Sequence, residues 1–310
     1  MERQLRIAIV GAGAVGGYYG GLLARAGMDV HFLLRSDHAV IAAQGLRIES
    51  PNGDFHLPAD RLNITDRADR LPPVDLVLLA TKATSNEHLP ELLRPIVGKR
   101  TMVLCVQNGI GGVEACTALL GAERVLAGLG FICTNRIAPG HIRHMGFGLI
   151  RFGPISASPV LDPAALERAL QAGGLPIELS DDIHRDRWGK LVWNIPFNGL
   201  GAAMDLSVDR LVNHPRGLEL VESIMREVIA LARSLGHTFP GDLVEQQIAK
   251  TVRMGAYKTS MQLDRQAGRP LERDAIITRP LTIARREGVL MPIVETIDRQ
   301  LACFDVTLNK

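Results

Sequence analysis

Short apolar runs, each ending in glycine or polar residues, recur through the first part of the chain. They span residues 5–10, 29–34, 75–80 and 101–106 and are rich in Val, Ile and Leu. Runs of this length without polar alternation predict strands buried on both faces. Segments between them, such as residues 14–26, predict helices. Strands that alternate with helices in this way predict a parallel α/β sheet.

The pattern changes along the chain. A hairpin turning at Asn52-Gly53 is expected within residues 45–57. A strand at 124–134, a glycine-rich hairpin at 140–154, a helix at 159–173 and a strand at 175–180 complete this part. Beyond residue 180 strand patterns disappear, and long helical patterns follow at 181–200, 215–236, 242–266, 272–288 and 292–304.

A glycine motif follows the first predicted strand. Gly11, Gly13 and Gly16 have the G-x-G-x-x-G spacing and open the first predicted helix. The first glycine permits a tight turn, the second allows backbone to approach a pyrophosphate, and the third allows close helix–strand packing. The sequence therefore predicts an α/β Rossmann-type N-terminal domain, residues 1–180, which binds a dinucleotide, and an all-α C-terminal domain, residues 181–310.

The end of the second predicted strand bears on which dinucleotide binds. NAD-binding folds place a carboxylate there for the ribose 2′-hydroxyl. Here the chain reads Leu34-Arg35-Ser36. A guanidinium can pair with a 2′-phosphate, which a carboxylate would repel. Arg35 therefore favours NADPH over NADH, although an ordinary surface arginine remains the alternative.

Two polar residues follow consecutive buried strands. Lys82 comes after the run ending at residue 80, and Asn108 comes after the run ending at residue 106. Ligands of open α/β sheets lie beyond the carboxyl ends of the strands. We expect both residues near the nicotinamide or the substrate, with a solvated loop position as the alternative for each.

Composition excludes several classes of protein. Of 310 residues, 46% are hydrophobic and 22% are charged, and the formal net charge is +2, without a Lys/Arg block that would indicate nucleic acid. No apolar run is long enough for a bilayer, and the early first strand leaves no room for a signal peptide. We therefore expect a cytoplasmic protein without nucleic-acid or membrane partners.

Metal and disulfide sites are not expected. The four cysteines, Cys105, Cys116, Cys133 and Cys303, have no C-x-x-C spacing. His141 and His144 lie three residues apart but lack acidic or cysteine partners at ligand spacing. We predict that both histidines lie on the surface.

The first helix of the second domain carries polar groups on an apolar background. Lys190, Asn194 and Asn198 follow one another at intervals of four and therefore share one helical face. Aromatic and aliphatic residues surround them. A lysine and two carboxamides need partners there. Hydrogen bonds to core backbone, or a lysine that reaches solvent, are the alternatives to a ligand site.

These motifs together resemble the ketopantoate reductase (2-dehydropantoate 2-reductase) family over nearly the whole chain. The resemblance rests on the glycine motif, Thr81-Lys82-Ala83, Gln107-Asn108-Gly109, the K-L-x-x-N-x-x-x-N run from Lys190 to Asn198, and the S-M-x-x-D…G-R-x-x-E run from Ser260 to Glu272.

The resemblance implies NADPH-dependent reduction of the 2-oxo group of ketopantoate to D-pantoate, a step toward pantothenate and coenzyme A. It implies that Lys190 is the general acid and that Glu272 contacts the lysine and the substrate hydroxyl. It implies substrate contacts from Asn194, Asn198, Ser260 and Asn108. Residues expected to contact the cofactor are Gly11, Ala12, Gly13, Ala14, Val15, Gly16, Arg35, Lys82, Asn108 and Glu272.

One segment departs from the family pattern. Family members commonly have an Asn-Gly or similar small pair after the matched glutamate, whereas this chain has Ile277-Thr278 and then Pro280. We expect the bulk of Ile277 and Pro280 to reshape the substrate pocket. A reductase of another 2-oxo acid therefore remains an alternative. A non-catalytic NADP(H)-binding regulator is a further alternative, which does not depend on this segment. Apolar helices in the second domain leave a homodimer open.

Overall fold

The computed structural model describes residues 5–308 and forms two compact units. The first comprises the chain to Asn108 together with Gly112–Ile183, and the second comprises Gly109–Gly111 together with the chain from His184 onward. Three residues from the loop after Asn108 thus group with the helical unit, although they lie within the range that the sequence assigns to the first domain.

The first unit contains a ten-stranded sheet among the described residues. Its strands are β1 (Arg6–Val10), β2 (Asp29–Leu33), β3 (Leu46–Glu49), β4 (Phe55–Leu57), β5 (Asn63–Thr65), β6 (Leu76–Leu79), β7 (Met102–Cys105), β8 (Val125–Ala138), β9 (His141–Pro154) and β10 (Ile177–Leu179). The order is β4-β3-β9-β8-β7-β6-β1-β2-β5, with β10 beside β9. Its helices are α1 (Ala14–Arg25), α2 (His38–Gln44), α3 (Leu89–Leu93), α4 (Gly112–Leu120) and α5 (Pro163–Ala172).

The centre of this sheet explains the apolar runs in the sequence. From β8 through β7, β6, β1 and β2 to β5 every neighbouring pair is parallel. Ile9 of β1 lies between Phe32 of β2 and Leu78 of β6, and all three are almost completely buried. Such strands have no solvent face and thus no polar alternation. The predicted Rossmann-type fold is confirmed.

The predicted hairpin at 140–154 is wrong. Residues 141–154 form the single strand β9, which pairs antiparallel with β8, and Gly140 (φ +66°) lies in the turn between the two strands. Gly146 and Gly148 lie at breaks in the register of this pair rather than at a second turn. Phe147 (φ 60°) lies at one such break. His144 is also not on the surface: it is 2% exposed, and its ring nitrogens bond to Ser50 and to the backbone carbonyl of Phe147.

Every secondary-structure element that the structure describes in the second unit is a helix or a helical turn. They are α6 (Ile183–Met204), α7 (Val208–Val212), α8 (Pro215–Ser234), α9 (Leu243–Val252), α10 (Ser260–Gln266), a π-helical turn (Asp274–Thr278), α11 (Arg279–Arg286) and α12 (Pro292–Leu308). Helix α6 is apolar on most faces, and its Val192, Ile195 and Phe197 are completely buried in the core of the unit. The predicted all-α second domain is confirmed.

The single helix predicted over residues 242–266 is wrong. Helix α9 ends at Val252, and α10 starts only at Ser260, where the Thr259 side chain accepts a hydrogen bond from the backbone nitrogen of Gln262. Gly255, at φ +64°, lies in the intervening loop. The sequence pattern did not indicate the break between α9 and α10, and the prediction therefore joined the two helices. Within residues 5–308 no helix is long and apolar enough to cross a membrane.

Candidate active site

The three glycines of the motif differ in the structural reason for which each position accommodates glycine. Gly11 has φ +91°, and a Cβ there would collide with the backbone nitrogen of Thr81. A Cβ on Gly16 would collide with the carbonyl oxygen of Gly11, whereas one on Gly13 would meet nothing within 4 Å. Gly13 is also the N-cap of α1, so no capping side chain occupies the positive end of the helix. This turn fits the pyrophosphate of a dinucleotide.

An apolar hollow lies beside the glycine turn. Its walls are formed by Ala12, Gly17, Phe32, Leu34, Ile41, Leu46, Leu62 and Ile64. Its volume of about 10 Å³ has room for about one water molecule, so the hollow is a small packing void and does not hold a nucleotide base in this structure.

The residues after β2 carry both signs of charge. Arg35 is exposed, and among the described residues no acidic side chain pairs with its guanidinium. Asp37 is only two residues further along, but it is 6% exposed, and its carboxylate pairs with Arg136. The sequence analysis did not single out Asp37, because aspartate is common in turns and needs no further explanation there. Nothing in the sequence indicated a partner 99 positions away.

A glutamine joins the loops that follow β6 and β7. The Nε2 of Gln107 donates hydrogen bonds to the Oγ1 of Thr81 and to the Oδ1 of Asn86, both at 2.8 Å. A side chain on Gly112 would collide with the amide oxygen of Gln107. Gln107 adjoins Asn108, and Thr81 adjoins Lys82. The structure therefore fixes together the two loops that the sequence singled out, through a residue whose side chain the sequence analysis did not use.

The three polar residues of α6 lie on one face of one continuous helix. Asn194 is 5% exposed and Asn198 is 4% exposed, while Lys190 is partly buried. The Nδ2 of Asn198 donates to the backbone oxygen of Asn194 at 3.1 Å. The i, i+4, i+8 arrangement predicted from the sequence is present.

Asn198 also connects α6 to α10. Its Oδ1 accepts hydrogen bonds from the backbone nitrogen of Met261 at 3.3 Å and from the hydroxyl of Ser260 at 3.4 Å. Ser260 itself is exposed, because it is the first residue of α10. The second unit thus brings together two residues that are 62 positions apart in the sequence.

Lys190 and Glu272 interact electrostatically. Burial lowers the pKa of the Lys190 ammonium from 10.5 to about 8, and the negative charge of Glu272 opposes part of that decrease. Glu272 is 6% exposed. A lysine with a pKa near neutrality can both hold and release a proton at ordinary pH. The pair therefore has the properties of a general acid and its electrostatic partner.

The π-helical turn begins two residues after Glu272. Thr278, the last residue of the turn, donates to the Oδ1 of Asp298 on α12 at 2.6 Å, and Arg273 donates to the same oxygen at 2.9 Å. π-helical turns are rare and often lie at functional sites. These bonds fix the segment that follows Glu272 to α12.

Ile277 does not line an open pocket, contrary to the sequence-based expectation. It is completely buried, and a Cβ on Gly199 would lie 3.5 Å from its Cδ1 and 2.9 Å from the Cγ2 of Ile297. Pro280 is buried as well. The bulk that departs from the family pattern therefore fills the core beside α6.

The predicted site residues fall into two groups. The glycine turn, Arg35, Lys82 and Asn108 belong to the first unit. Lys190, Asn194, Asn198, Ser260 and Glu272 belong to the second. Among residues 5–308 no group of three or more His, Cys, Asp or Glu side chains is arranged to hold a metal ion.

Comparison with known proteins agrees with this arrangement. Residues 7–157 match the model of the family described as ketopantoate reductase PanE/ApbA, and residues 182–302 match its C-terminal counterpart. A 2-dehydropantoate 2-reductase of a Nostoc species is 39% identical over 97% of this chain and 96% of its own length.

Solved structures give the same result. The crystal structure of 2-dehydropantoate 2-reductase from Geobacter metallireducens is 44% identical, with a TM-score of 0.92 over 96% of this chain and 99% of that one. A ternary structure of D-mandelate dehydrogenase with NADH and anilino(oxo)acetate shares the fold, with a TM-score of 0.90 over 99% and 100% of the two chains, at 24% identity. The chain therefore belongs to the ketopantoate reductase family of oxidoreductases.

Proposed function

We propose that the protein reduces 2-dehydropantoate (ketopantoate) to D-pantoate with NADPH, in the cytoplasm, as a step toward pantothenate and coenzyme A. The observation that carries the proposal is Lys190, whose pKa is lowered to about 8 beside Glu272. Lys190 lies on the same helical face as Asn194 and Asn198. A proton donor beside amide groups is what reduction of a 2-oxo acid requires.

The first unit supplies the cofactor contacts in this proposal. The backbone of Gly11–Gly16 and the start of α1 hold the pyrophosphate, and Arg35 pairs with the 2′-phosphate. Lys82 and Asn108, after neighbouring strands, contact the nicotinamide end of the cofactor, where Glu272 also contributes a contact. The open space at Gly13 and the exposed guanidinium of Arg35 support these assignments.

The second unit supplies the proton and the substrate contacts. A bound NADPH provides the hydride for the 2-oxo carbon. As negative charge develops on the carbonyl oxygen, the ammonium of Lys190 stabilises it and then donates a proton to form the hydroxyl. Burial lowers the pKa of the ammonium, and the carboxylate of Glu272 opposes part of that decrease and so favours the charged form of Lys190. Glu272 also accepts a hydrogen bond from the new hydroxyl group.

Carboxamide and hydroxyl groups orient the 2-oxo acid. Asn194, Asn198 and Asn108 hydrogen-bond the substrate, and the exposed hydroxyl of Ser260 contacts its carboxylate. The amide of Asn198 already bonds to Asn194 and Met261 and therefore has a fixed orientation. Fixed donors do not have to be ordered when the substrate binds.

A reductase of another 2-oxo acid is the second candidate. The D-mandelate dehydrogenase structure contains NADH, so a related fold is compatible with another acid and another cofactor. The buried position of Ile277 favours ketopantoate, because the departure from the family pattern is in the core. A non-catalytic NADP(H)-binding regulator would not need Lys190 and Glu272 together.

A substrate panel tests the proposal. Loss of reduced-nicotinamide absorbance is followed with ketopantoate, 2-oxoisovalerate, pyruvate and benzoylformate, each with NADPH and with NADH. The proposal predicts the highest kcat/KM for ketopantoate with NADPH, and D-pantoate as the product. A higher kcat/KM with another 2-oxo acid would show that this acid, and not ketopantoate, is the preferred substrate. Binding of NADPH without turnover of any acid would favour the regulator.

A further inference from the structure

Asp37 is a buried carboxylate in the turn after β2, just beyond the position at which NAD-binding folds carry the acid that reads the ribose. It follows β2 by four residues and Arg35 by two. Its oxygens accept hydrogen bonds from Arg136 Nε at 2.7 Å, Arg136 Nη2 at 2.5 Å, the Ser36 hydroxyl at 2.8 Å and the backbone nitrogen of Gly140 at 3.1 Å. All these residues belong to the first unit. The carboxylate is therefore fully engaged by the protein itself.

The charge of Asp37 is retained and matched. Burial alone would raise the pKa of its carboxyl group, but the hydrogen bonds from Arg136, Ser36 and Gly140 outweigh burial and hold the pKa below its usual range. Asp37 is thus ionised at neutral pH. Its negative charge is balanced by the guanidinium of Arg136, which binds it in a two-pronged arrangement.

The carboxylate has a structural task as well. Asp37 precedes α2, and its bonds to Arg136 and to the Gly140 nitrogen tie this turn to the β8–β9 connection. A carboxylate at this edge of the sheet would ordinarily accept the 2′-hydroxyl of NAD and repel the 2′-phosphate of NADP. We infer that Asp37 is retained for its structural hydrogen bonds. Its negative charge is balanced by Arg136 on β8.

We propose that Arg136 is a specificity-determining residue for the cofactor, because its pairing with Asp37 prevents that carboxylate from repelling the 2′-phosphate of NADPH. Arg35 supplies the attraction, and Arg136 removes a repulsion. The inference rests on the proposed use of NADPH. It makes NADPH preference depend on a residue 101 positions from Arg35.

A series of charge variants tests this inference by calorimetric titration of NADPH and NADH, without a 2-oxo acid. Arg136→Gln retains a donor for Asp37 but loses the cation, so the NADPH Kd should rise about ten-fold while the NADH Kd changes less than about two-fold. Arg136→Lys should retain the preference. Asp37→Asn should bind NADPH as tightly as the unchanged protein or more tightly. The double variant Asp37→Asn/Arg136→Gln, which has no net charge at the pair, should recover the original NADPH Kd.

A matched control comes from the same long hairpin. Arg151 on β9 pairs with Glu178, and its side chain has the same 39% exposure as that of Arg136. Arg151→Gln should leave the ratio of the NADPH and NADH dissociation constants unchanged. Thermal unfolding of every variant reports any structural loss, and Asp37→Asn and the double variant leave no unpaired buried carboxylate.

Two results would overturn the inference while NADPH preference stands. If the double variant binds NADPH as weakly as Arg136→Gln, Arg136 contacts the phosphate directly. If Arg136→Gln weakens NADPH and NADH equally, the pair is only structural. Absence of any NADPH preference in the unchanged protein would instead contradict the proposed cofactor, and that measurement is separate from the variants.

Discussion

The carboxylate of Glu272 and the ammonium of Lys190 act on each other across the second unit, from positions 82 residues apart in the sequence. Burial lowers the pKa of Lys190 to about 8, and Glu272 limits the decrease. The charged form of Lys190 therefore exists in balance with the neutral form near physiological pH. Proton transfer in either direction becomes accessible under these conditions.

Replacement of Lys190 tests its role as the acid. Lys190→Gln should lower kcat for ketopantoate reduction by about 100-fold or more, because the developing alkoxide loses its proton donor. The NADPH Kd should stay within about two-fold, since the cofactor contacts that we propose for the phosphates lie in the first unit. Lys250→Gln, at an exposed position of α9, is the control and should leave both constants unchanged. An equal loss of NADPH binding in Lys190→Gln would contradict the assignment of Lys190 as the general acid.

The pH profile tests the electrostatic partnership. Reduction requires the protonated lysine, so kcat/KM should fall as pH rises through about 8. Glu272 raises the pKa of Lys190, so Glu272→Gln should shift this fall to lower pH as well as slow the reaction. Oxidation of D-pantoate, which requires neutral Lys190, should show the opposite slope.

Glu227→Gln is the control for the pH profile. Glu227 is another acidic residue of the second unit, and its carboxylate accepts hydrogen bonds from the backbone nitrogens of Ile293 and Val294. Its removal should leave the midpoint of the profile in place. A midpoint that is unchanged in Glu272→Gln would contradict the assigned influence of Glu272.

Arg35 is expected to read the 2′-phosphate. Arg35→Asp should raise the NADPH Kd by at least about ten-fold more than the NADH Kd, through repulsion of the phosphate. Arg100→Asp makes the same charge change just before β7, at the amino ends of the parallel strands, whereas Arg35 follows the carboxyl end of β2. This control should affect the binding of both cofactors little. Equal effects of Arg35→Asp on the two cofactors would show that Arg35 is not the reader.

Gln107 is expected to hold the two strand-end loops in position. Gln107→Met loses both donated hydrogen bonds and should lower the free energy of unfolding by about 1–3 kcal/mol. It should also lower kcat more than it changes the ketopantoate KM, because Lys82 and Asn108 lose their fixed spacing. Gln171→Met breaks the bond from Gln171 to the backbone oxygen of Ile177 in the same unit. This control should cost stability but leave kcat unchanged, and an equal loss of kcat in both variants would argue against positioning by Gln107.

Local features of the sequence were sufficient for the central elements. The buried strand before Gly11 and the glycine spacing itself are encoded within a dozen residues, so the glycine turn follows from the sequence alone. The shared face of Lys190, Asn194 and Asn198 follows from helical geometry. Both features are present in the structure.

Contacts between residues far apart in the sequence could not be predicted from local patterns. Neither the Asp37–Arg136 pair nor the contact of Asn198 with Ser260 leaves a periodic signal, because the partners lie 99 and 62 positions apart. The burial of Ile277 depends on Gly199 and Ile297, which come from two other helices. Short strands such as β5 were also missed, since three residues carry too little pattern.

The most direct test of the central claim is the kcat/KM for ketopantoate with NADPH, measured side by side for the unchanged protein and Lys190→Gln, with the product's stereochemistry determined. Our account predicts efficient formation of D-pantoate by the unchanged protein and a loss of about 100-fold or more in the variant. Equal rates for the two proteins, or no D-pantoate from either while another 2-oxo acid is reduced, would contradict it.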